Sequence, residues 1–228
     1  GAAASHSATS VIWAGDGRSK ASHTRASDAG LEDGRTIDTL VKDSDIILSI
    51  CPPRNAEDVA RQVKQRAFTG LFVDCNAIAP EKSRLIAARF GYQNFVDGGI
   101  VGGPVWESGS GTRLYLSGER SKDIASLFNN SPLETTIISG EIGAASAMKM
   151  VFAAYTKGTT ALLTAILGVA EKEGVRSVLE SQWGQAFTEK THQRVVANSA
   201  KAWRFEGEMQ EIAATFENAR HPGGFHTA

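Results

Sequence analysis

The chain has 228 residues, 24 Lys plus Arg against 25 Asp plus Glu, and 42% hydrophobic residues. That length can bury most of its apolar surface without disulfides or metals, and the balanced charge offers no basic stripe to nucleic acid or anionic lipid, which leaves a small polar or anionic metabolite as the expected partner. Two cysteines, Cys51 and Cys75, do not make the closely spaced frame of a disulfide-rich or zinc-binding module, so a reducing, cytoplasmic setting is expected.

From Ser10 to Gly140, short β-branched runs alternate with helical stretches, the pattern of a parallel sheet with helices on its faces. Strands are expected at 10–14, 45–51, 70–75, 94–97, 113–117 and 134–138. Between them, 56–66 and 80–90 have helical spacing, with Asn55 ahead of the first and Pro80 in the first turn of the second. After Gly140 no strand-like run recurs. One long helix over 144–172 is expected, then shorter ones near 175–183, 185–203 and 207–218. The pattern predicts a doubly wound α/β domain of Rossmann type over 1–140 and an all-helical domain over 141–228. The long helix carries Lys149, Lys157 and several threonines, which is wrong for a membrane span, and no basic region followed by an apolar core opens the sequence as a signal peptide would.

Lys149 stands two turns into that helix among Ala147, Met148, Met150 and Val151. A lysine in such surroundings either snorkels to water or is held in a cleft for a purpose. Composition alone favours a packing helix. The wording of the segment points the other way: Gly140-Glu-Ile-Gly143-Ala-Ala-Ser-Ala-Met-Lys149 resembles the catalytic-helix motif of the 3-hydroxyisobutyrate and 6-phosphogluconate dehydrogenase superfamily, Gly-x-x-Gly-x-Gly-x-x-x-Lys-x-x-x-Asn. Gly140, Gly143 and Lys149 match, while Ala145 stands for the third glycine and Ala153 for the asparagine.

The same resemblance spans nearly the whole chain. Phe72-Val-Asp74-Cys-Asn76-Ala-Ile-Ala-Pro80 is similar to the family's Asp-x-Ser-Thr-x-x-Pro segment. Phe95-Val-Asp97-Gly-Gly-Ile-Val101-Gly102-Gly103 is similar to its Asp-Ala-Pro-Val-Ser-Gly-Gly substrate loop, and Gly111-Thr112 falls where the family has Gly-Thr-Leu. The long helix, with Lys149-Met-Val-Phe-Ala-Ala-Tyr-Thr-Lys157-Gly158, looks most like a branch of 6-phosphogluconate-dehydrogenase-like proteins with their own C-terminal helical domain.

The resemblance implies a hydride transfer between a nicotinamide cofactor and a small β-hydroxy acid or related carbonyl compound, with Lys149 catalytic and the chain a homodimer. It places substrate at Val101, Gly102, Gly103 and Ala153, where Val101 and Ala153 replace polar residues and so imply an altered substrate. It places the nicotinamide ribose beside Cys51, Pro52, Pro53 and Asn76. In the family a first strand and a Gly-x-Gly-x-x-Gly turn precede the point where this sequence begins, so Gly1 is expected to be the last glycine of that fingerprint, with the remainder, and a final helix beyond Pro222, outside the sequence. Where the adenosine ribose is read, Asp16 suits NAD and Arg18, Ser19, Lys20 and Arg25 suit the 2′-phosphate of NADP; NADP is the expectation, with NAD possible.

Two other readings stay open: a non-catalytic nucleotide-binding or interaction protein, and an imine reductase-like enzyme, against which retention of Lys149 counts. Cys51 and Cys75 can equally be small buried strand residues. Glu208 is expected on a helix surface. No histidine pair has metal-ligand spacing with a carboxylate, so no metal is expected, and no Gly-x-Ser-x-Gly elbow marks a hydrolase.

Overall fold

The computed structural model describes residues 1–105 and 109–227, apart from the side chain of Ser139. The chain divides into two compact units, residues 1–149 and 150–228.

In the first unit a five-stranded sheet runs in the order β3-β4-β5-β6-β7, formed by Ile46–Ser49, Leu71–Asp74, Phe95–Val101, Arg113–Ser117 and Glu134–Ser139. Neighbours are parallel except β5 and β6, which run antiparallel. Two short strands, β1 (Ile12–Trp13) and β2 (Glu32–Asp33), pair parallel as a separate two-stranded sheet. Helices α1 (Lys20–Asp28), α2 (Ile37–Asp43), α3 (Ala56–Gln65), α4 (Pro80–Phe90) and α5 (Ser121–Ser126) connect them. This is the expected Rossmann-type α/β architecture, parallel in the main.

Side chains alternate across a strand, and the register therefore sorts the sheet into two faces. On one face Ile47, Phe72 and Phe95 pack with Ala60 and Val63 of α3 and Ile86 and Phe90 of α4. On the other, Leu71, Val73, Cys75, Val96, Leu114 and Leu116 pack with Ile124 of α5. Helix α4 matches its expected bounds because Pro80 fixes its first turn and Ser83, Ile86, Ala87 and Phe90 repeat at helical spacing as its buried stripe. Helix α3 starts at Ala56, as expected, yet Asn55 makes no side-chain cap; a 3₁₀ turn, Pro53–Asn55, leads in instead.

The second unit is helical throughout. The helix that begins as α6 (Ala144–Ala153) passes through a π turn, Ala154–Gly158, into α7 (Thr159–Lys172), followed by α8 (Arg176–Trp183), α9 (Gln185–Ser199), α10 (Glu206–Asn218) and the short α11 (Gly224–Thr227). Thr160, Leu163, Leu167 and Ala170 form the buried stripe of α7, against which α8 and α9 pack. By length and composition the 29-residue run Ala144–Lys172, which holds an 18-residue window of mean hydropathy 1.3, reaches what a membrane span needs. Of its charged residues, Lys149 stands against a β-strand and Lys157 is paired with an acid.

The division between units falls at Lys149 rather than near Gly140, where the sequence pattern changes. The first turns of α6 are bound to the sheet, so they belong to it by contact although they are helical by sequence.

Candidate functional site

The C-terminal ends of β3, β4 and β5 bring the expected residues together. Ser49 pairs in register with Asp74, and Asp74 with Asp97, so these three share one row on the α3/α4 face of the sheet. Beyond those pairs β5 runs on through Gly99, paired with β6, while the chain bends at Cys51 and at Asn76. Gly99 has no side chain because none would fit: a Cβ there would lie 2.6 Å from the Ala145 carbonyl oxygen and 3.0 Å from the Lys149 Cβ. Helix α6 thus lies directly on β5, with the half-buried Lys149 rooted over Gly99.

Asn76 is 2% exposed and its carboxamide staples two strand ends. Its Nδ2 donates to Ser49 Oγ at 2.9 Å, while its Oδ1 accepts from the Cys51 backbone N–H at 2.6 Å. Asp74 Oδ1 in turn accepts from the Asn76 N–H at 2.9 Å. Asn76 therefore ties the ends of β3 and β4 together. Cys51 follows it, half-buried, and leads into Pro52 and Pro53, which turn the chain into the 3₁₀ segment before α3. Burial and then the Asp74 charge raise the Cys51 thiol above its ordinary pKa, and burial with Asp74 and Asp97 does the same to Cys75 on the opposite face. Both are free thiols and stay protonated at neutral pH, which disfavours nucleophilic roles.

What fixes α6 is Asp97, a residue with no exposed surface. Its Oδ1 accepts from Ser83 Oγ at 2.9 Å and Ser146 Oγ at 2.6 Å. Its Oδ2 accepts from Ser117 Oγ at 2.9 Å and from the backbone N–H groups of Gly143 and Ser146 at 3.0 Å each. Ser117 Oγ also accepts from the Ala145 N–H at 3.1 Å. Three of the first N–H groups of the helix, which have no partner within it, are thereby satisfied by the sheet, and the negative charge stands at the positive end of the helix dipole. Gly143 at φ +99° makes the sharp entry that an L side chain would strain.

The turn after β5 carries the remaining residues of the expected substrate loop. Val101 ends the strand opposite Arg113, half-buried. Gly102, at φ +128°, lies where a Cβ would meet the Thr112 Cα at 2.7 Å. The buried Thr112 hydroxyl donates to the Gly103 carbonyl at 3.0 Å, pinning the turn. In the second unit, Ala153 closes α6 with no exposed surface.

Of the residues expected to meet the cofactor's adenosine end, Arg18 is exposed after β1 and Ser19 is the N-cap of α1, accepting from the Ser22 N–H at 3.3 Å. Two further groups join them: Ser19 Oγ lies 3.2 Å from Ser22 Oγ, and Arg25 donates to Ser22 Oγ at 3.0 Å. Sequence reading had Arg25 but not Ser22. Asp16 is turned to Arg35, at 3.7 Å, and Asp33 accepts from the Gly15 N–H at 3.1 Å, tying β2 to the β1 turn. Gly1 lies against Leu31 and lines a largely apolar cavity of about 430 Å³ with Ile50, Cys75, Ile100 and Gly103, on the face of the sheet opposite Lys149.

Glu208 departs from its expected surface position. Its side chain is 12% exposed and accepts from Lys157 Nζ at 3.0 Å; Lys157, 16% exposed in the π turn, also stands 5.0 Å over the Phe205 ring. The acidic run 206–211 gave no sign of this, because its partner lies 51 residues earlier. Among the described residues no group of three or more His, Cys, Asp or Glu could hold a metal ion.

Residues 167–228 match a family model described as a domain of unknown function, DUF1932. An uncharacterised 28.5 kDa protein of Methanothermus fervidus is 29% identical over 201 residues, 86% of this chain and 77% of that one. Among solved structures, a conserved protein of unknown function, reported as structurally similar to 3-hydroxyacid dehydrogenases, is 28% identical with a TM-score of 0.69, over 95% of this chain and 84% of that one. Imine reductase from Myxococcus stipitatus in complex with NADP+ is 20% identical with a TM-score of 0.57, over 92% and 80%. The 3-hydroxyisobutyrate dehydrogenase of Salmonella typhimurium is 14% identical with a TM-score of 0.64, over 99% and 86%.

Proposed function

We propose that this chain, 3-hydroxyacid-dehydrogenase-like in fold and matched at its C-terminal segment by DUF1932, is an NAD(P)-dependent oxidoreductase acting on a small β-hydroxy acid or a related carbonyl compound. The observation that carries the reading is the placement of Lys149 over Gly99 of β5, two residues past Asp97, which stands in register with Asp74 at the end of β4. Open α/β sheets bind ligands at that edge.

The residues fit a nicotinamide cofactor at two places. Cys51, Pro52, Pro53 and Asn76 form a stiff strand-end floor for the nicotinamide ribose. At the other end, Arg18, Ser19, Ser22 and Arg25 surround the N-terminus of α1, a nine-residue helix, with cationic and hydroxyl groups suited to a 2′-phosphate. That cluster supports NADP over NAD, and Gly1 remains the residue assigned to the pyrophosphate turn. When bound, the nicotinamide supplies or accepts a hydride at the carbinol carbon. Lys149 holds or takes the proton on the adjacent oxygen. Gly102 and Gly103, pinned by Thr112, are the backbone proposed to meet the substrate, beside the apolar Val101.

A homodimer in a cytoplasmic setting belongs to the same reading. Leu162 and Val169 of α7, 58% and 63% exposed, are apolar surface that a second copy would cover. The similarity to imine reductases brings imines into the substrate screen beside hydroxy acids.

The test is Lys149→Met, which keeps the apolar stem and removes the transferable proton. Turnover on the substrate found by screening hydroxy acids with NADPH and NADH should fall by about two to four orders of magnitude while cofactor affinity holds. Near-normal turnover would return Lys149 to a packing role and favour the non-catalytic reading. Arg18→Ala should weaken NADPH binding far more than NADH binding; equal loss would refute the NADP assignment.

A further inference from the structure

We propose that Asp97 is the positioning residue for Lys149: its buried carboxylate sets where α6 begins on the sheet, and so where the lysine comes out over β5. The proposal rests on the reading of Lys149 as the proton-handling amine. It does not make Asp97 a catalytic residue, since the carboxylate is consumed by its five hydrogen bonds and has no exposed surface.

The argument is one of two fixed points. At the first, Asp97 and Ser117 hold the N–H groups of Gly143, Ala145 and Ser146, which fixes the height and the rotation of the first turn. At the second, two residues along the same strand, Gly99 lets the backbone of α6 approach until the Ala145 carbonyl and the Lys149 Cβ stand where a Cβ would otherwise be. A helix held by hydrogen bonds at one turn and by close packing at the next has neither translation nor rotation left, and Lys149 is the residue at the second contact. Proton transfer needs such placement, because a misplacement of about 1 Å in a reacting group can cost about a hundredfold in rate. The donors divide by element. Ser146, Gly143 and Ala145 belong to the α6 entry, whereas Ser83 belongs to α4 and Ser117 to β6. Removing the Ser83 hydroxyl takes one bond from Asp97 but leaves every tether of α6 in place. Removing the Ser146 hydroxyl likewise takes one bond from the same Oδ1, and it frees α6 on that side.

That asymmetry supplies a test that a merely structural role would fail. Ser146→Ala, Ser83→Ala and Asp97→Asn are compared with wild type in the intact chain by two measurements. One is the acetylation rate of individual lysines by an N-hydroxysuccinimide ester, read by mass spectrometry with no substrate needed. The other is kcat and KM with the best screened substrate. In Ser146→Ala the Lys149 rate should rise about fivefold relative to Lys157, the population change that loss of one hydrogen bond produces. There kcat should fall about 10- to 100-fold at nearly constant cofactor KM. In Ser83→Ala both should stay within about twofold of wild type although stability drops similarly. Asp97→Asn should exceed Ser146→Ala, and if it does not fold the serine pair decides alone. Equal effects of the two serine variants on Lys149, or none from either, would overturn the proposal. If Lys149→Met keeps its turnover while Ser146→Ala still changes Lys149 acetylation, the catalytic reading fails and the positioning stands; if Lys149→Met is inactive and Ser146→Ala changes neither measurement, the reverse holds.

Discussion

Asp97 in the first unit and Glu208 in the second are both acids withdrawn from water, and the fold treats them in opposite ways. Asp97 is held by hydroxyl and backbone donors converging from α4, β6 and the start of α6. Glu208 accepts from the Lys157 ammonium, with an aromatic ring beside the pair and some solvent within reach of both. Directional donors specify a position to within a fraction of an ångström, whereas an ion pair tolerates drift in either partner. The region that must hold a reactive amine in place uses the first device. The region that need only stay packed uses the second.

Asp97→Ala should break that contrast most visibly. Each buried donor left without an acceptor costs about 1–3 kcal/mol, so a loss of about 3 kcal/mol or more is expected in urea unfolding, seen as a lower midpoint at unchanged slope. A loss under about 1 kcal/mol would mean that the donors find other partners and that the cage specifies little.

Next in size is Glu208→Ala, with an expected cost of about 1–2 kcal/mol, between the values for exposed and fully buried pairs. The double variant Lys157→Met with Glu208→Leu should come within about 1 kcal/mol of wild type, since an apolar pair can replace an ionic one of similar volume. A double variant as unstable as Asp97→Ala would show that the pair specifies structure as the cage does.

Smaller again is the contribution of His226 in α11. It is 8% exposed, 4.5 Å from the Phe216 ring, and burial lowers its pKa from 6.5. The folded state thus resists the proton that the unfolded chain accepts, so the stability due to this group is complete above pH 6.5 and declines as the pH falls below it. His226→Phe should flatten that part of the stability profile, and an unchanged profile would assign the slope to other groups. Smallest of all, Glu134→Gln removes the exposed partner of Arg113 and should leave the unfolding midpoint where it was.

The strands with apolar alternation were legible in the sequence because burial of one or both faces writes itself into side-chain type. Pro80 and its stripe gave α4 residue for residue. Strand β2 was missed: Glu32 and Asp33 are both exposed, so no face of it is recorded as hydrophobic. Helix α1 was missed for a similar reason, having only Ala26 buried. Strand β5 runs to Val101, four residues past its expected end at Asp97. Gly98 and Gly99 resemble a loop in sequence, whereas here they let Cys75 approach one side of the strand and α6 the other. At the site, Lys149 was found from its local wording. The cage around Asp97 was not, because its serines lie 14, 20 and 49 residues away and no local pattern connects them. Glu208 was misread for the same reason.

The π turn at Ala154–Gly158 means that this helix accommodates one residue more than an α-helix of the same span would. The surplus sits where Lys157 reaches Glu208 and where Gly158 lies under the His226 ring, whose Cε1 would be 2.9 Å from any Cβ at that position. Shortening the turn by one residue would let regular winding resume with the α7 stripe of Thr160, Leu163, Leu167 and Ala170 still facing its neighbours. The same deletion made inside α7 would rotate everything after it by about 100° and turn that stripe outward. Length variation along this helix is therefore expected to be tolerated at a single place, and that place is set by the backbone's winding rather than by exposure.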